Sequence, residues 1–226
     1  MDSVGLNIPE FAAQVILISA SGVLSPGPLF FANLLYGSKG AAMSGVKLAY
    51  GHTTVELPIV ILLAVGLFSY PAFADRYASV IGLVGGAGII GFAILQGVSF
   101  AQSKGGAEIT ASGKLGSLLR YRKSSPVFVG AALSALNPFF LTWWFTAGLK
   151  LILDSFAFGV VTGIALLFVF HIWMDYAWLA STAHLASKGK SVLKSRYYML
   201  IYYGVIVALA CYGVYFVINS AGMIIQ

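Results

Sequence analysis

Two histidines and two carboxylates are the side chains of this sequence best suited to chemistry. His52 and Glu56 occur in the stretch HTTVE, and His171 and Asp175 occur in HIWMD. In each stretch, the four-residue spacing puts the histidine and the carboxylate on one face of a helix. Both stretches are embedded in apolar sequence, where a charged side chain at the centre of a membrane helix costs about 2.5–3.5 kcal/mol. Ionisable residues in such surroundings indicate a functional site.

Depth along the helices predicts how the four side chains pair. The basic residues in the loops predict that the helix with Glu56 runs outward and that the helix with His171 runs inward. At about 1.5 Å per residue, Glu56 and His171 then both lie roughly 16–18 Å from the cytoplasmic end, and His52 and Asp175 both roughly 10–12 Å. We therefore expect Glu56 to face His171 and His52 to face Asp175.

Three roles for this group of residues stay open on the sequence alone. Histidine titrates near neutral pH, so the group could take up and release protons in a transport cycle. Two imidazoles and two carboxylates also suit a zinc-like ion, although the chain has a single cysteine and no tight ligand motif. The pairs could also simply hold two helices together.

Composition identifies the surroundings of these residues as a membrane. Hydrophobic residues make up 59% of the 226 residues and charged residues only 9%, against about 25% charged residues in soluble domains. The apolar runs are long and continuous, which favours helices over the alternating strands of a membrane barrel. The net charge of +6 lies in loops between the runs, so we expect a lipid bilayer as partner and no nucleic acid.

The apolar runs predict an all-α integral membrane protein with six transmembrane helices. They cover residues 9–37, 45–70, 77–100, 126–149, 155–183 and 197–224. Eleven of the 13 Lys and Arg residues fall in the first, third and fifth loops. The positive-inside rule puts these basic loops in the cytoplasm and both termini outside the cytoplasmic membrane. The N-terminus lacks the basic start of a signal peptide, so we expect the first helix to be retained.

A basic stretch divides the chain into two halves. Residues 101–125 are rich in Gly, Ser and charge and predict a cytoplasmic linker. The linker separates a three-helix repeat in residues 1–100 from a second in residues 126–226. Because three is an odd number of crossings, the two repeats would be inverted relative to each other, which is a common plan in transporters.

Proline motifs predict that helices one and four are broken. The first reads SPGP and the second NP, each followed by bulky apolar residues. Irregular backbone at that depth is tolerated only against protein or water, so we expect the two breaks to face each other rather than lipid. Half-helix N-termini after the breaks could bind a substrate carboxylate, and Glu56 or Asp175 could hold its ammonium group. The predicted substrate-binding residues are Ser25, Pro26, Gly27, Pro28, Asn137, Pro138, Glu56 and Asp175.

The histidines and carboxylates of HTTVE and HIWMD are predicted to carry the coupling proton. The predicted proton-coupling residues are His52, Glu56, His171 and Asp175. Trp143 and Trp144 follow the second break and could line a cavity, although packing in the core is the more common role of such residues.

These motifs resemble the LysE/RhtB-type amino-acid exporters, and some of their forms resemble the archaeal branch. The motifs are SPGP, GHTTVELP (51–58), NP, and His171 and Asp175 with Trp178. The resemblance implies secondary export of amino acids or related small metabolites driven by an ion gradient, with no cofactor and no enzymatic activity. Phe139 departs from the pattern, because many members have a lysine after the NP.

Three alternatives remain beside this reading. A divalent metal-ion exporter would use His52, Glu56, His171 and Asp175 as ligands. An intramembrane hydrolase would pair Ser25 or Ser134 with His52, although no G-x-S-x-G motif occurs. A structural membrane protein would not need broken helices in both halves. The sequence also leaves open whether the chain forms a homo-oligomer.

Overall fold

The computed structural model describes residues 7–69, 80, 83–91, 93–94, 97–98, 125–189 and 196–225. This part of the chain contains helices and no strand, which confirms the all-α prediction. Residues 83–91 are helical. The remaining elements are α1 (Ile8–Val23), α2 (Pro28–Ser69), α3 (Pro126–Ala135), α4 (Pro138–Trp143), a π-helical turn (Trp144–Gly148), α5 (Leu149–Ser155), a 3₁₀ turn (Phe156–Phe158), α6 (Val160–Ser187) and α7 (Arg196–Ile225).

Among the described residues, two helices are long and apolar enough to cross a membrane by length and composition alone, and the first of them is interrupted at Ala41. They span Pro28–Leu67 and Val160–Ser187, and the pair Pro126–Ala135 and Phe139–Phe158, bent by 61°, forms a third candidate. The predicted segment 77–100 is described only in part, and the predicted linker lies outside the described residues except for Ser125. The six crossings, the division into halves and the inverted repeat therefore remain predictions.

The first proline motif ends α1 where the sequence predicted a break. The helix begins with a capping box, in which the Glu10 N–H donates to Asn7 Oδ1 over 2.9 Å. It ends at Val23, and α2 begins at Pro28. Proline lacks the N–H that a helix interior requires and disfavours helical geometry in the residue before it. The chain therefore leaves the helix over Leu24–Gly27.

The second motif interrupts the chain in the same way between α3 and α4. Asn137 has an extended backbone, with φ −86° and ψ 107°, and acts as the N-cap of α4. Its Oδ1 accepts a hydrogen bond from the Phe139 N–H over 3.0 Å. Both predicted breaks are thus present, each caused by proline and stabilised by local hydrogen bonds.

The chain reverses direction within α2, at Ala41. This residue has φ 48° and ψ −146°, a conformation that interrupts the helix. On a straight helix Asn33 and Gly45 would lie about 18 Å apart, yet both contact Leu179 of α6. Asn33 Nδ2 donates to the Leu179 carbonyl over 2.9 Å, and a Cβ on Gly45 would clash with the same carbonyl. The two limbs of α2, residues 28–40 and 42–69, therefore run in opposite directions along α6.

An apolar core lies on one side of the four ionisable residues. Val60 lies four positions after Glu56 on the same helical face, and Leu167 lies four positions before His171. Both side chains are fully buried. They belong to a cluster contributed by α1, the second limb of α2, the π-helical turn, α5 and α6. Phe156 and Phe158 of the 3₁₀ turn pack against this cluster.

Candidate functional site

The four ionisable residues form one buried cluster between α2 and α6. His171 Nε2 lies 3.0 Å from Glu56 Oε1 and 3.4 Å from Asp175 Oδ2. His52 Nε2 lies 3.2 Å from Glu56 Oε1 and 3.9 Å from Asp175 Oδ1. The expected cross-helix pairs are therefore confirmed. Glu56 is only 1% exposed, so this polar network is shielded from bulk solvent.

Glycines let the second limb of α2 approach α3 closely enough for His52 to reach it. A Cβ on Gly51 would clash with the Val127 carbonyl, and a Cβ on Gly130 would clash with the Leu48 carbonyl. The two backbones therefore touch where any larger residue would separate them. This contact positions His52 beside the last turn of α3.

A serine from a broken helix holds the outer nitrogen of each histidine. Ser134 Oγ lies 2.6 Å from His52 Nδ1, and Ser19 Oγ lies 2.7 Å from His171 Nδ1. The Ser134 hydroxyl also donates to the Gly130 carbonyl over 2.8 Å, so its single proton is used there. His52 Nδ1 must then be the donor to Ser134, which directs His52 Nε2 toward the carboxylates.

These serine contacts were not predicted as part of the site. Ser19 was not identified, and Ser134 was considered only as a hydrolase nucleophile. A nucleophile would have to donate its proton to the histidine, whereas the Ser134 hydroxyl donates to a carbonyl. The available sequence signal was a serine within two turns of a proline break.

Two tryptophans complete the wall around the cluster. Trp144 Nε1 donates to Glu56 Oε1 over 3.2 Å, and Trp143 Nε1 donates to Ser21 Oγ over 3.1 Å. Both indoles pack against the His171 ring, with centroids 5.5 and 5.3 Å away. They belong to the apolar core and also line a cavity beside the cluster. Core packing and cavity lining, the two roles considered for them, therefore occur together. Trp144 begins the π-helical turn, a geometry often found at functional sites.

Two carboxylate oxygens of the cluster have no hydrogen-bond partner among the residues that the structure describes. Glu56 Oε2 and Asp175 Oδ2 are both buried. Asp175 Oδ2 lies 3.4 Å from His171 Nε2, but the pair does not have hydrogen-bond geometry. Buried charged acceptors are normally satisfied, because leaving one unpaired costs more than a neutral group does. Both atoms therefore have capacity to bind a donor or a cation.

A cavity of about 310 Å³ joins the cluster to both helix breaks. Its volume is at the lower end of the ~300–1,000 Å³ typical of small-molecule sites. The predicted site residues that line it are Ser25, Pro26, Gly27, Pro28, His52, Glu56, Asn137, His171 and Asp175. The side chain of Pro138, the remaining predicted site residue, lies outside the part of the chain that the structure describes. An added Cβ on Gly27 would lie 3.8 Å from Asn137 Nδ2, so the two breaks face each other as expected.

The second break differs from the expected open helix terminus. The Phe139 N–H, which was expected to face a substrate carboxylate, is bound by the Asn137 side chain. Phe139 itself lines the cavity. The wall at this break is therefore more apolar and offers fewer donors than the sequence suggested.

Part of the cluster has a spacing that suits a metal ion. One ligand atom from each of His52, Glu56 and Asp175 lies within 4.8 Å of the other two. The imidazole and carboxylate donors match zinc-like ions, and the serine bound to His52 Nδ1 resembles the outer partner of a metal-bound histidine. The arrangement can thus accept a proton, an ammonium group or a divalent cation.

Comparison with known proteins gives one match, which is to a protein family. The family model described as LysE type translocator matches residues 20–220. No match was found among curated proteins or among solved structures. The matched region contains both proline breaks and all four ionisable residues of the cluster. The apolar helices and this match identify a membrane protein, and the chain belongs to the LysE type translocator family.

Proposed function

We propose that this protein exports amino acids or related small molecules across the cytoplasmic membrane, as an antiporter coupled to protons. One observation carries the proposal: two helix breaks and a buried His–carboxylate cluster line a single cavity of small-molecule size. Transporter sites commonly lie between broken helices near the bilayer midplane. Membership of a translocator family supports transport rather than an enzymatic reaction.

The residues of the cavity divide into two roles under this proposal. Glu56 and Asp175 hold the positively charged end of the substrate, because each has an unpartnered buried oxygen. Residues Ser25–Pro28 and Asn137–Pro138 form the walls at the two breaks. His52 and His171 carry the coupling protons, since their Nε2 atoms contact the same carboxylates. Substrate and protons then compete for Glu56 and Asp175, which is the basis of exchange.

The proposed arrangement in the membrane follows from charge and repeat length. The basic loops, including the linker at 101–125, face the cytoplasm, and both termini face outward. The three-helix repeats 1–100 and 126–226 then have opposite orientations, and rocking of one against the other would give alternating access.

Counterflow in proteoliposomes tests the transport function. Liposomes loaded with an unlabelled amino acid or amine should accumulate the labelled compound, and this accumulation should be lost in Glu56→Gln and in Asp175→Asn. A matched control is Glu10→Gln, which makes the same change at an exposed residue in the first turn of α1. Unchanged counterflow in both cluster variants would contradict the assigned roles.

A second candidate function is the export of a divalent metal ion. The close approach of ligand atoms from His52, Glu56 and Asp175 favours it, with His171 as a further ligand. Metal analysis of protein purified without chelator, together with thermal stabilisation by zinc or manganese, separates the two candidates. Stoichiometric metal that is lost in Asp175→Asn would support the metal exporter, and stabilisation by small organic molecules alone would support the first proposal.

A further inference from the structure

We propose that the cavity selects a monoamine with an apolar side chain over the corresponding zwitterionic amino acid. This specification rests on the proposed transport function and names the substrate class of the same site.

The first argument is the pair of unpartnered acceptors. Glu56 Oε2 and Asp175 Oδ2 are buried without a hydrogen-bond partner in the described part of the chain, and both residues line the cavity. These two oxygens therefore lack a donor. A primary ammonium group supplies one positive charge and three N–H donors at a single nitrogen, so it can pair with both oxygens at once.

The second argument is the poor provision for a carboxylate. Among the described residues that line the cavity there is no lysine or arginine. At the second break the Phe139 N–H is bound by Asn137, and at the first break Pro28, the residue that begins α2, has no N–H.

His52 and His171 can become cations, but their Nε2 atoms already contact Glu56 and Asp175. A substrate carboxylate would therefore lack a cationic partner of its own and carry a large desolvation penalty. The amino-acid form of the substrate therefore binds less well than the amine.

The third argument is the character of the walls. The lining side chains nearest the breaks and the cluster include Phe30, Phe139, Phe140, Trp143 and Trp144. Aromatic walls bury an apolar side chain favourably and also stabilise a nearby cation. Phe139 is 47% exposed, so it offers apolar surface that a substrate can cover.

Binding of matched pairs to the purified full chain in detergent tests the proposal by isothermal titration calorimetry. The pairs are 2-phenylethylamine with phenylalanine, and 3-methylbutylamine with leucine. We expect each amine to bind at least about tenfold more tightly than its amino acid. Trimethyl(2-phenylethyl)ammonium keeps the charge and the ring but has no N–H donor, and we expect it to bind about tenfold more weakly than 2-phenylethylamine. Micelles avoid the passive diffusion of uncharged amines through lipid.

A substitution at Phe139 tests whether the preference for amines depends on the absence of a lysine or arginine from the cavity wall. Phe139→Lys places an ammonium group at the cavity wall and should reverse the preference toward phenylalanine. Phe128→Lys adds the same charge at an exposed position of α3 outside the cavity and should leave the preference for the amine unchanged.

Three outcomes overturn the proposal, and they differ from one another. Tighter binding of phenylalanine and leucine than of their amines would overturn the selection for amines and leave transport standing. Binding of neither member of either pair, together with no counterflow of any amino acid or amine, would overturn the proposed function as well. Equal binding of the primary and trimethylated ammonium ions would also overturn the proposal, because the unpartnered oxygens would then not act as acceptors.

Discussion

His171 Nε2 lies 3.0 Å from Glu56 Oε1, although 115 residues separate the two in the chain. The same glutamate oxygen accepts a hydrogen bond from Trp144 Nε1 over 3.2 Å and lies 3.2 Å from His52 Nε2. One buried oxygen therefore links α2, α6 and the π-helical turn. Connected polar networks in a low-dielectric interior are strong when complete and costly when one member is removed.

Glu56→Gln should destabilise the protein in detergent by about 2 kcal/mol. The amide keeps the size of the side chain but loses the charge that binds two histidines and an indole. Thermal unfolding followed by circular dichroism measures the effect. Glu10→Gln should change stability by less than about 0.5 kcal/mol, because glutamine also serves in a capping box at an exposed helix start. Equal stability of the two variants would contradict the central role of Glu56.

Removal of a cluster histidine should flatten the pH dependence of substrate binding. Protonated imidazoles compete with a cationic substrate for the two carboxylates, so affinity should fall as the pH is lowered through the range in which the imidazoles take up protons. Calorimetry across this range should show a weaker dependence in His52→Gln and His171→Gln. His184 is exposed near the end of α6, and His184→Gln should retain the wild-type profile. An unaltered profile in both cluster variants would argue against proton coupling through these residues.

Ser134→Ala should lower stability by about 1–3 kcal/mol, because it leaves the buried His52 Nδ1–H without a partner. It should also reduce substrate affinity, since His52 loses the contact that directs Nε2 toward the carboxylates. Ser38→Ala removes an exposed serine that likewise donates to a carbonyl one turn earlier, that of Leu35. This control should behave as wild type in thermal unfolding and in calorimetry. Rescue of both properties by Ser134→Thr would support a role for the hydroxyl.

Gly51→Ala should destabilise the contact between α2 and α3 by about 1–3 kcal/mol. The added methyl group would clash with the Val127 carbonyl, which is backbone and has little room to move. Gly66→Ala lies on the same helix, where an added Cβ has nothing within 4 Å. This control should be neutral or stabilise by up to about 1 kcal/mol, because alanine favours a helix over glycine. Thermal unfolding should therefore shift to lower temperature in Gly51→Ala and not in Gly66→Ala, and equal shifts in the two variants would contradict the close contact.

Much of the cluster could be predicted because its spacing is local. The four-residue interval within HTTVE and HIWMD fixes a shared helical face, and the length of the two helices fixes similar depths. The pairing of Glu56 with His171 follows from these two facts together with the opposite directions of the two helices, which the basic loops predict. The serine and tryptophan partners could not be predicted, because 82 residues separate His52 from Ser134 and 88 separate Glu56 from Trp144. No periodicity in the sequence carries information across such distances.

The sequence by itself determined the helical class, the positions of both breaks and the four ionisable residues. These properties depend on hydrophobicity and on proline chemistry, which act within a few residues of the chain. Only the tertiary structure decided that the chain reverses at Ala41, that glycines bring α2 against α3, and that the Asn137 side chain binds the Phe139 N–H at the second break. These outcomes depend on which backbones can approach each other and which donors are already used, and such competition is settled only when the helices pack together.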